Sequence, residues 1–498
     1  RRLGAVCGIL FVFASLSSKL MIVPIILHYL DKTEFGLYQL MGAFVGYLAL
    51  IDFGISGTIG RFTAKYQACN DRIRQDNVIS MCLIIYSFLA AIVAVIGLFL
   101  YHKLDTVFSK TLSTAEMADA KIMFLILLCS ISATVLGRAF VGVNAGHERF
   151  IFSRIVDSVS MLAKVFVVAV VLALGHRAIG IVAVEAFINI AVLLLNIAYA
   201  CMVLKVRFKL HYWDMALLHK VLSFAFWTFL AAIVLQINFK LGSVLLGAMT
   251  TTSLVGIYAI ALQINTLYNT LPTAISSVFL PKITRLVERG SDGEQLTKTI
   301  IGPSRYQLIL VGCILGGFIL FGRQFISLWA GTEYIGAWEI ALLIIAPVTI
   351  PICQNTILSV LYAKMIYKGR ALITLAFAFI NGVSAFFLIR YFGLYGPAIG
   401  TSLTLLIGHG VVLNLYYHYR VGLNMRLFFR KVFGRIFPVA VVSIIIGIVF
   451  VLLPIGGGWL GLAARLTLFT MLYILMMWFF GMNQSEQSFF RSAFHASL

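Results

Sequence analysis

Two lysines stand where lysine is costly. Lys19 and Lys240 each fall inside a long apolar run, at matched places in two stretches of similar pattern. An ionised group inside a lipid-spanning helix is retained where it faces a cavity, pairs with an opposite charge or serves transport. Two ammonium groups facing one cavity from matched helices could hold a diphosphate stripped of its water, because such hydrogen bonds are charge-assisted. The competing reading is that each lysine snorkels to the nearest surface or pairs with an acid.

Further ionisable side chains lie deep in apolar runs: Asp52, Arg138, Asp157 and Lys164. Asp157, Ser160 and Lys164 recur at helical spacing and share one face. Arg138 and Lys164 are candidate cargo contacts, with snorkelling as the alternative for Arg138. Asp52 and Asp157 read as gating or structural ion-pair partners of these bases. Glu185 lies near the outer end of its run and Arg465 outside the repeated region, so neither receives a role. The second half of the chain offers neutral groups instead. Gln236 precedes Lys240 by one turn, Asn265 precedes Asn269 by one turn, and Gln354-Asn355 follow Pro347 and Pro351. Those prolines should break their helix and free backbone carbonyls, which is tolerated where the break lines a cavity. Amides and carbonyls suit sugar hydroxyls; interhelical hydrogen bonding is the other reading.

The elements that must position these groups are membrane helices. Of 498 residues, 61% are hydrophobic and 11% charged, far from the balance of soluble domains. Apolar runs divide the chain into about fourteen helices of membrane-crossing length, and period-two alternation is absent. The fold class is therefore all-α and membrane-embedded. The first run, after Arg1-Arg2, is too long for a signal-peptide core and is kept as a span. The net charge of +20 sits in short loops between runs, so it reads as a positive-inside signal and no nucleic-acid partner is expected. Most of the 38 Lys and Arg fall in alternate loops, which places both termini in the cytoplasm. The seven cysteines form no CxxC pair and the nine histidines no HExxH spacing, so no disulfide frame, metal site or cofactor is expected.

There is an internal repeat. Lys19-Leu20 through Phe35-Gly36-Leu37-Tyr38 resembles Lys240-Leu241 through Val255-Gly256-Ile257-Tyr258, and Ile55-Ser56 and Lys65 recur as Ile275-Ser276 and Arg285. The repeat aligns the first helix with the seventh and the second with the eighth. An even number of helices per copy gives both copies the same direction, hence two six-helix lobes related by a pseudo-twofold axis along the membrane normal. The expected organisation is an N-terminal lobe at 1–205 and an interfacial linker at 206–218. A C-terminal lobe follows at 219–420, then a basic linker, two further helices and a tail at 421–498. The linker mixes basic and aromatic residues, Phe208-Lys-Leu-His-Tyr-Trp213, as suits the headgroup layer; a solvated loop is the alternative.

Several segments carry a family resemblance. They are Glu34-Phe-Gly-Leu-Tyr-Gln39, Leu50-Ile-Asp-Phe-Gly54 followed by Arg61-Phe-Thr-Ala-Lys-Tyr66, Ala274-Ile-Ser276 with Leu280-Pro-Lys282, and Phe321-Gly-Arg-Gln-Phe325 with Leu328-Trp-Ala-Gly331. In order and spacing they resemble the polysaccharide transporters, the oligosaccharide flippases of the multidrug/oligosaccharidyl-lipid/polysaccharide exporter superfamily. The resemblance implies a two-lobed transporter working by alternating access in the bacterial cytoplasmic membrane. It implies a polyprenyl-diphosphate-linked oligosaccharide as cargo, membrane lipid as surroundings and other polysaccharide-assembly proteins as candidate partners. Where relatives often carry an acid in the seventh helix, this chain has Ile237-Asn-Phe-Lys-Leu-Gly242, so an acid–cation coupling site is not carried over. A drug/cation antiporter of the same superfamily would favour buried acids without compensating bases. A membrane-embedded polysaccharide-assembly enzyme should show a sizeable outer loop with catalytic side chains. The longest expected outer loop, near 102–119, shows none, so the chain reads as no enzyme and no catalytic residue is assigned.

Overall fold

The computed structural model describes residues 2–48, 55–147, 150–206, 208–364, 366–454, 456–484 and 486–488. Every regular element among them is helical. A backbone inside lipid must satisfy its own polar groups, and helices do so within one segment.

The first ten helices are α1 (Arg2–Tyr29), α2 (Lys32–Gly46), α3 (Ile55–Ala68), α4 (Arg72–Phe108), α5 (Thr114–Gly146), α6 (Phe150–Ala173), α7 (Ala178–Ala198), α8 (Met215–Phe239), α9 (Leu241–Met249) and α10 (Thr252–Glu288). The remainder are α11 (Gly293–Trp329), α12 (Ala337–Cys353), α13 (Asn355–Ala363), α14 (Lys368–Phe392), α15 (Gly396–Ile407), α16 (Leu413–Tyr419), α17 (Met425–Leu452) and α18 (Trp459–Met476). Nine helices among the described residues are long and apolar enough to cross a membrane, or ten with the bent pair α12–α13 taken as one span. The expectation of about fourteen counted apolar runs whole. The structure runs some of them together: α14 to α16 form one stretch, Lys368–Tyr419, with a π-helical turn at Gly408–Val412 between α15 and α16. The chain is a multi-pass membrane protein.

Polar caps set the helix starts. Asp31 accepts from the Glu34 N–H at 2.8 Å, Asp71 from Arg74 at 3.0 Å and Asp292 from Gln295 at 2.7 Å. Ser113 and Glu116 form a reciprocal capping box at the start of α5. Each cap satisfies a donor that the first helical turn leaves orphaned.

Two compact units emerge. The first holds residues 1–259 with 389–394, the second 260–388 with 395–498. In the first, α5 is the central post, packed against α2, α3, α4 and α7, while α1 lies along α6. In the second, α11 packs against α12, α17 and α18, and α12 against α15. The last two helices are thus integral to the second unit. Arg305 of α11 ties them in: its Nη2 donates to Gly481 O at 2.7 Å and to Glu486 Oε2 at 3.0 Å, and its Nε also binds Glu486. Both side chains are buried.

Candidate functional site

The sequence of α6 divides between two faces. Ile155, Val159, Leu162, Phe166 and Val170 are exposed, as a lipid-facing stripe should be. Asp157, Ser160 and Lys164 line the opposite side, in a cavity of about 310 Å³ within the first unit. Thr134 and Arg138 of α5 and Asn189 and Asn196 of α7 complete its polar wall. Three site residues chosen from sequence, Arg138, Asp157 and Lys164, therefore meet in one place. Asp157 lies in the electrostatic field of the Arg138 guanidinium.

Lys164 is ion-paired with Glu185 of α7, and the Tyr38 hydroxyl of α2 donates to the same Oε1 at 2.9 Å. The carboxylate is thus held from two helices. Beyond it, Asn189 donates to Ser130 Oγ at 2.9 Å, and buried Asn144 donates to Asn196 Oδ1 at 2.9 Å. Sequence reasoning missed Glu185, Tyr38 and these amides. The signal was there in part: Glu185, Asn189, Val192 and Asn196 recur at helical spacing on one face of α7.

Three ionic groups, Arg138, Asp157 and Lys164, and hydrogen-bonding amides line the cavity inside an apolar bundle, and Glu185 is paired to Lys164. Taking such groups out of water is costly unless they are paired, and here each acid has a base beside it. Guanidinium and ammonium donors in such a setting can bind an anionic or hydroxyl-rich group by exchanging partners with the carboxylates.

Lys19 and Lys240 are placed differently. Lys19 is partly exposed on α1 beside the buried, unpartnered Ser18 hydroxyl. Lys240 is exposed at the break between α8 and α9, where its N–H still bonds Gln236 O at 2.8 Å. Neither makes a side-chain hydrogen bond or ion pair among the described residues. The chief neighbours of α1 are α6 and α2, and those of α8 are α9 and α3. Gln236 and Lys240 belong to the first compact unit. The Gln236 side-chain amide lies close to Gly46, and the Gln236 backbone carbonyl accepts from the Tyr47 hydroxyl at 3.5 Å.

In the second unit, Asn269 donates back to Asn265 O at 2.8 Å and Oδ1 at 3.0 Å, so this amide pair is satisfied within α10. The helix break expected after Pro347 and Pro351 is present: α12 and α13 meet at Gln354 with a bend of 40°. Gln354 Nε2 donates to Asn414 Oδ1 at 2.8 Å, and its Oε1 is buried without a partner. Asn355, beside it, begins α13 and is partly exposed. Asp52 lies outside the described residues. No group of three or more metal-ligating side chains occurs among the described residues.

A family model described as polysaccharide biosynthesis protein matches residues 7–287, which include every element of this cavity. The chain is 30% identical over 172 residues to "Probable flippase AglR" of Haloferax volcanii, a match covering 34% of this chain and 36% of that relative. The chain thus matches about a third of the length of that curated relative. Its fold is similar to that of a lipid II flippase, MurJ, in an inward closed conformation: TM-score 0.71 at 16% identity, over 94% of this chain and 98% of that one. It is also similar to an inward-facing multidrug resistance transporter of the MATE family: TM-score 0.64 at 14% identity, over 83% of this chain and 94% of the other. At such identities the likeness carries the fold alone.

Proposed function

The chain belongs to the family of polysaccharide biosynthesis proteins, and from that premise we propose that it is a flippase for oligosaccharides carried on a polyprenyl diphosphate. The cargo moves from the cytoplasmic to the outer leaflet by alternating access of two lobes, for cell-surface polysaccharide synthesis. Both termini face the cytoplasm, as the positive-inside pattern requires. The flippase names of two similar proteins support the reading. The observation that carries it is the membrane-embedded cavity in which Arg138 and Lys164 stand among amides and hydroxyls.

That chemistry fits an anionic headgroup attached to sugars. Arg138 and Lys164 offset the cost of desolvating the diphosphate, with Lys19 and Lys240 adding charge along its path. Gln236, Asn265, Asn269, Gln354 and Asn355 supply hydrogen-bond partners for sugar hydroxyls. Asp157 and Glu185 hold the two bases between cargo cycles, and Asp52 acts with them as a gating acid. A membrane potential negative inside assists outward movement by about 2.3 kcal/mol per charge per 100 mV. The accompanying bases disfavour a drug/cation antiporter, which would keep an uncompensated acid for its cation.

The test is complementation. A strain lacking its oligosaccharide flippase should regain surface polysaccharide with the native chain and lose most of it with Arg138→Ala or Lys164→Ala at equal protein level. Full complementation by both well-expressed variants would remove this cavity from the transport path.

A further inference from the structure

The segment from Leu204 to Asp214 lies between two membrane spans, Ala178–Val203 and Ala232–Met249. Its described residues, 204–206 and 208–214, are outside regular secondary structure and are nonetheless fastened. Asn77, 1% exposed at the start of α4, accepts from the N–H groups of His211 at 2.9 Å and Tyr212 at 3.0 Å through one oxygen. The Phe208 ring packs edge-on against Phe140 with centroids 6.0 Å apart. A slack tether would need neither contact.

The clamp turns apolar and aromatic side chains outward. Leu210, Tyr212 and Trp213 are 45%, 46% and 41% exposed, and Met215 beside them is 68% exposed. Exposed aromatics at the end of a span belong to the boundary between headgroups and acyl chains, where one end is apolar and the other wet. Basic groups share this end of the first unit. Lys209 lies within the segment, and Lys65 and Arg72 stand exposed on the adjoining α3–α4 corner. Tyr66 of that corner lies within electrostatic reach of Tyr212 and Asp214, so corner and segment form one surface, on which Lys65, Arg72 and Lys209 outnumber the partly exposed Asp214. Asp71 is spent locally, capping α4 and bridging Arg74 at 3.3 Å.

We propose that this surface binds acidic phospholipid headgroups. Leu210, Tyr212 and Trp213 seat at the acyl boundary, while Lys65, Arg72 and Lys209 take the phosphates. Connectivity fixes the depth, since both flanking segments enter the bilayer. Charge fixes the occupant, since a basic surface at headgroup depth attracts acidic lipid. Asn77 is the positioning residue: it holds the backbone at His211 and Tyr212, and with it the exposed Leu210, Tyr212 and Trp213.

The test uses the full-length protein in vesicles. Trp213 emission is taken as the difference between the native chain and Trp213→Phe. Brominated phosphatidylglycerol should quench it more strongly than brominated phosphatidylcholine at the same mole fraction. The preference should fall roughly fivefold for each base neutralised in Lys65→Gln, Arg72→Gln and Lys209→Gln. Lys209→Gln alone, on an exposed segment, must show its share even if the triple variant is poorly folded. Asn77→Ala should weaken the preference while quenching by phosphatidylcholine persists. Equal quenching by both lipids would overturn the proposal. So would quenching by neither together with free access to acrylamide, the result for a solvated loop or for a face that docks an acidic protein.

Discussion

Gly36 and Gly256 touch each other, and each holds the same place in the repeat. A Cβ on Gly36 would lie 1.8 Å from Thr252 O and 3.2 Å from Gly256 N; one on Gly256 would lie 3.1 Å from Lys32 O and 3.5 Å from Gly36 Cα. Lys32 and Thr252 are themselves repeat mates, each four residues before its glycine. Reciprocal contact between equivalent residues is the mark of a two-fold relation. Here it relates α2 to the first turns of α10, both inside the first unit.

The two glycines are not equally tolerant. At Gly36 a methyl group meets backbone that cannot rotate away, whereas at Gly256 a shift of a few tenths of an ångström suffices. Gly36→Ala should lower stability by about 1–3 kcal/mol, the usual range for overpacking, and Gly256→Ala by distinctly less. Thermal unfolding of the purified protein in detergent gives the order; equal midpoints would mean that the crossing is loose.

The Lys164–Glu185–Tyr38 cluster should behave as a coupled unit. Tyr38→Phe removes one hydrogen bond to a carboxylate, worth about 1.5–3 kcal/mol when buried and less here because Lys164 remains partly exposed. Lys164→Ala should cost more than Glu185→Gln, since it leaves a carboxylate without its cation. A double-mutant cycle of Tyr38→Phe with Glu185→Gln should show a coupling of about 0.5 kcal/mol or more. Strict additivity would mean that the hydrogen bond contributes nothing.

The Arg305–Glu486 pair should be the costliest to break. Removing one partner of a buried pair costs about 3–5 kcal/mol because the other charge stays behind. Glu486→Ala should therefore destabilise strongly, and Arg305→Met with Glu486→Leu should recover much of the loss. Unfolding midpoints of the two variants decide it; a double variant worse than Glu486→Ala would show that the Arg305 bonds to backbone carbonyls dominate.

Much of this was legible in the sequence, for reasons that differ by residue. Lipid leaves the backbone few alternatives, so the helical fold follows from apolar runs alone. The break at Gln354 follows from Pro347 and Pro351, because proline removes a helix hydrogen bond and its ring crowds the preceding turn. The shared face of Asp157, Ser160 and Lys164 follows from spacing within one helix. Glu185 was passed over because its depth in α7 was counted from the outer end, where it looked wet. Its pairing depends on how α6 and α7 lie together after His176, which no local pattern encodes. Arg305 and Glu486 are 181 residues apart and meet only through the packing of α11 with α17 and α18. Asp52 lies outside the described residues.

Lys19 and Lys240 give a sharper test of charge than of structure, since neither holds another side chain among the described residues. Lys19→Ala and Lys240→Ala should leave the unfolding midpoint nearly unchanged while lowering cargo affinity. One lost charge-assisted contact is worth about 1.5–3 kcal/mol before screening. Arginine should rescue better than glutamine, because charge is the required property although the fork differs. If both alanine variants transport normally, the two lysines snorkel and take no part.

The most direct measurement is transport itself. The purified chain is reconstituted into vesicles carrying a fluorescent oligosaccharide on polyprenyl diphosphate in one leaflet, and appearance in the other is followed by an impermeant sugar-modifying reagent. Translocation should depend on the protein, accelerate with a potential that is negative on the donor side, and collapse in Arg138→Ala and Lys164→Ala when compared at equal amounts of folded, inserted protein. Translocation no faster than in protein-free vesicles, with the chain shown to be folded and inserted, would contradict the account.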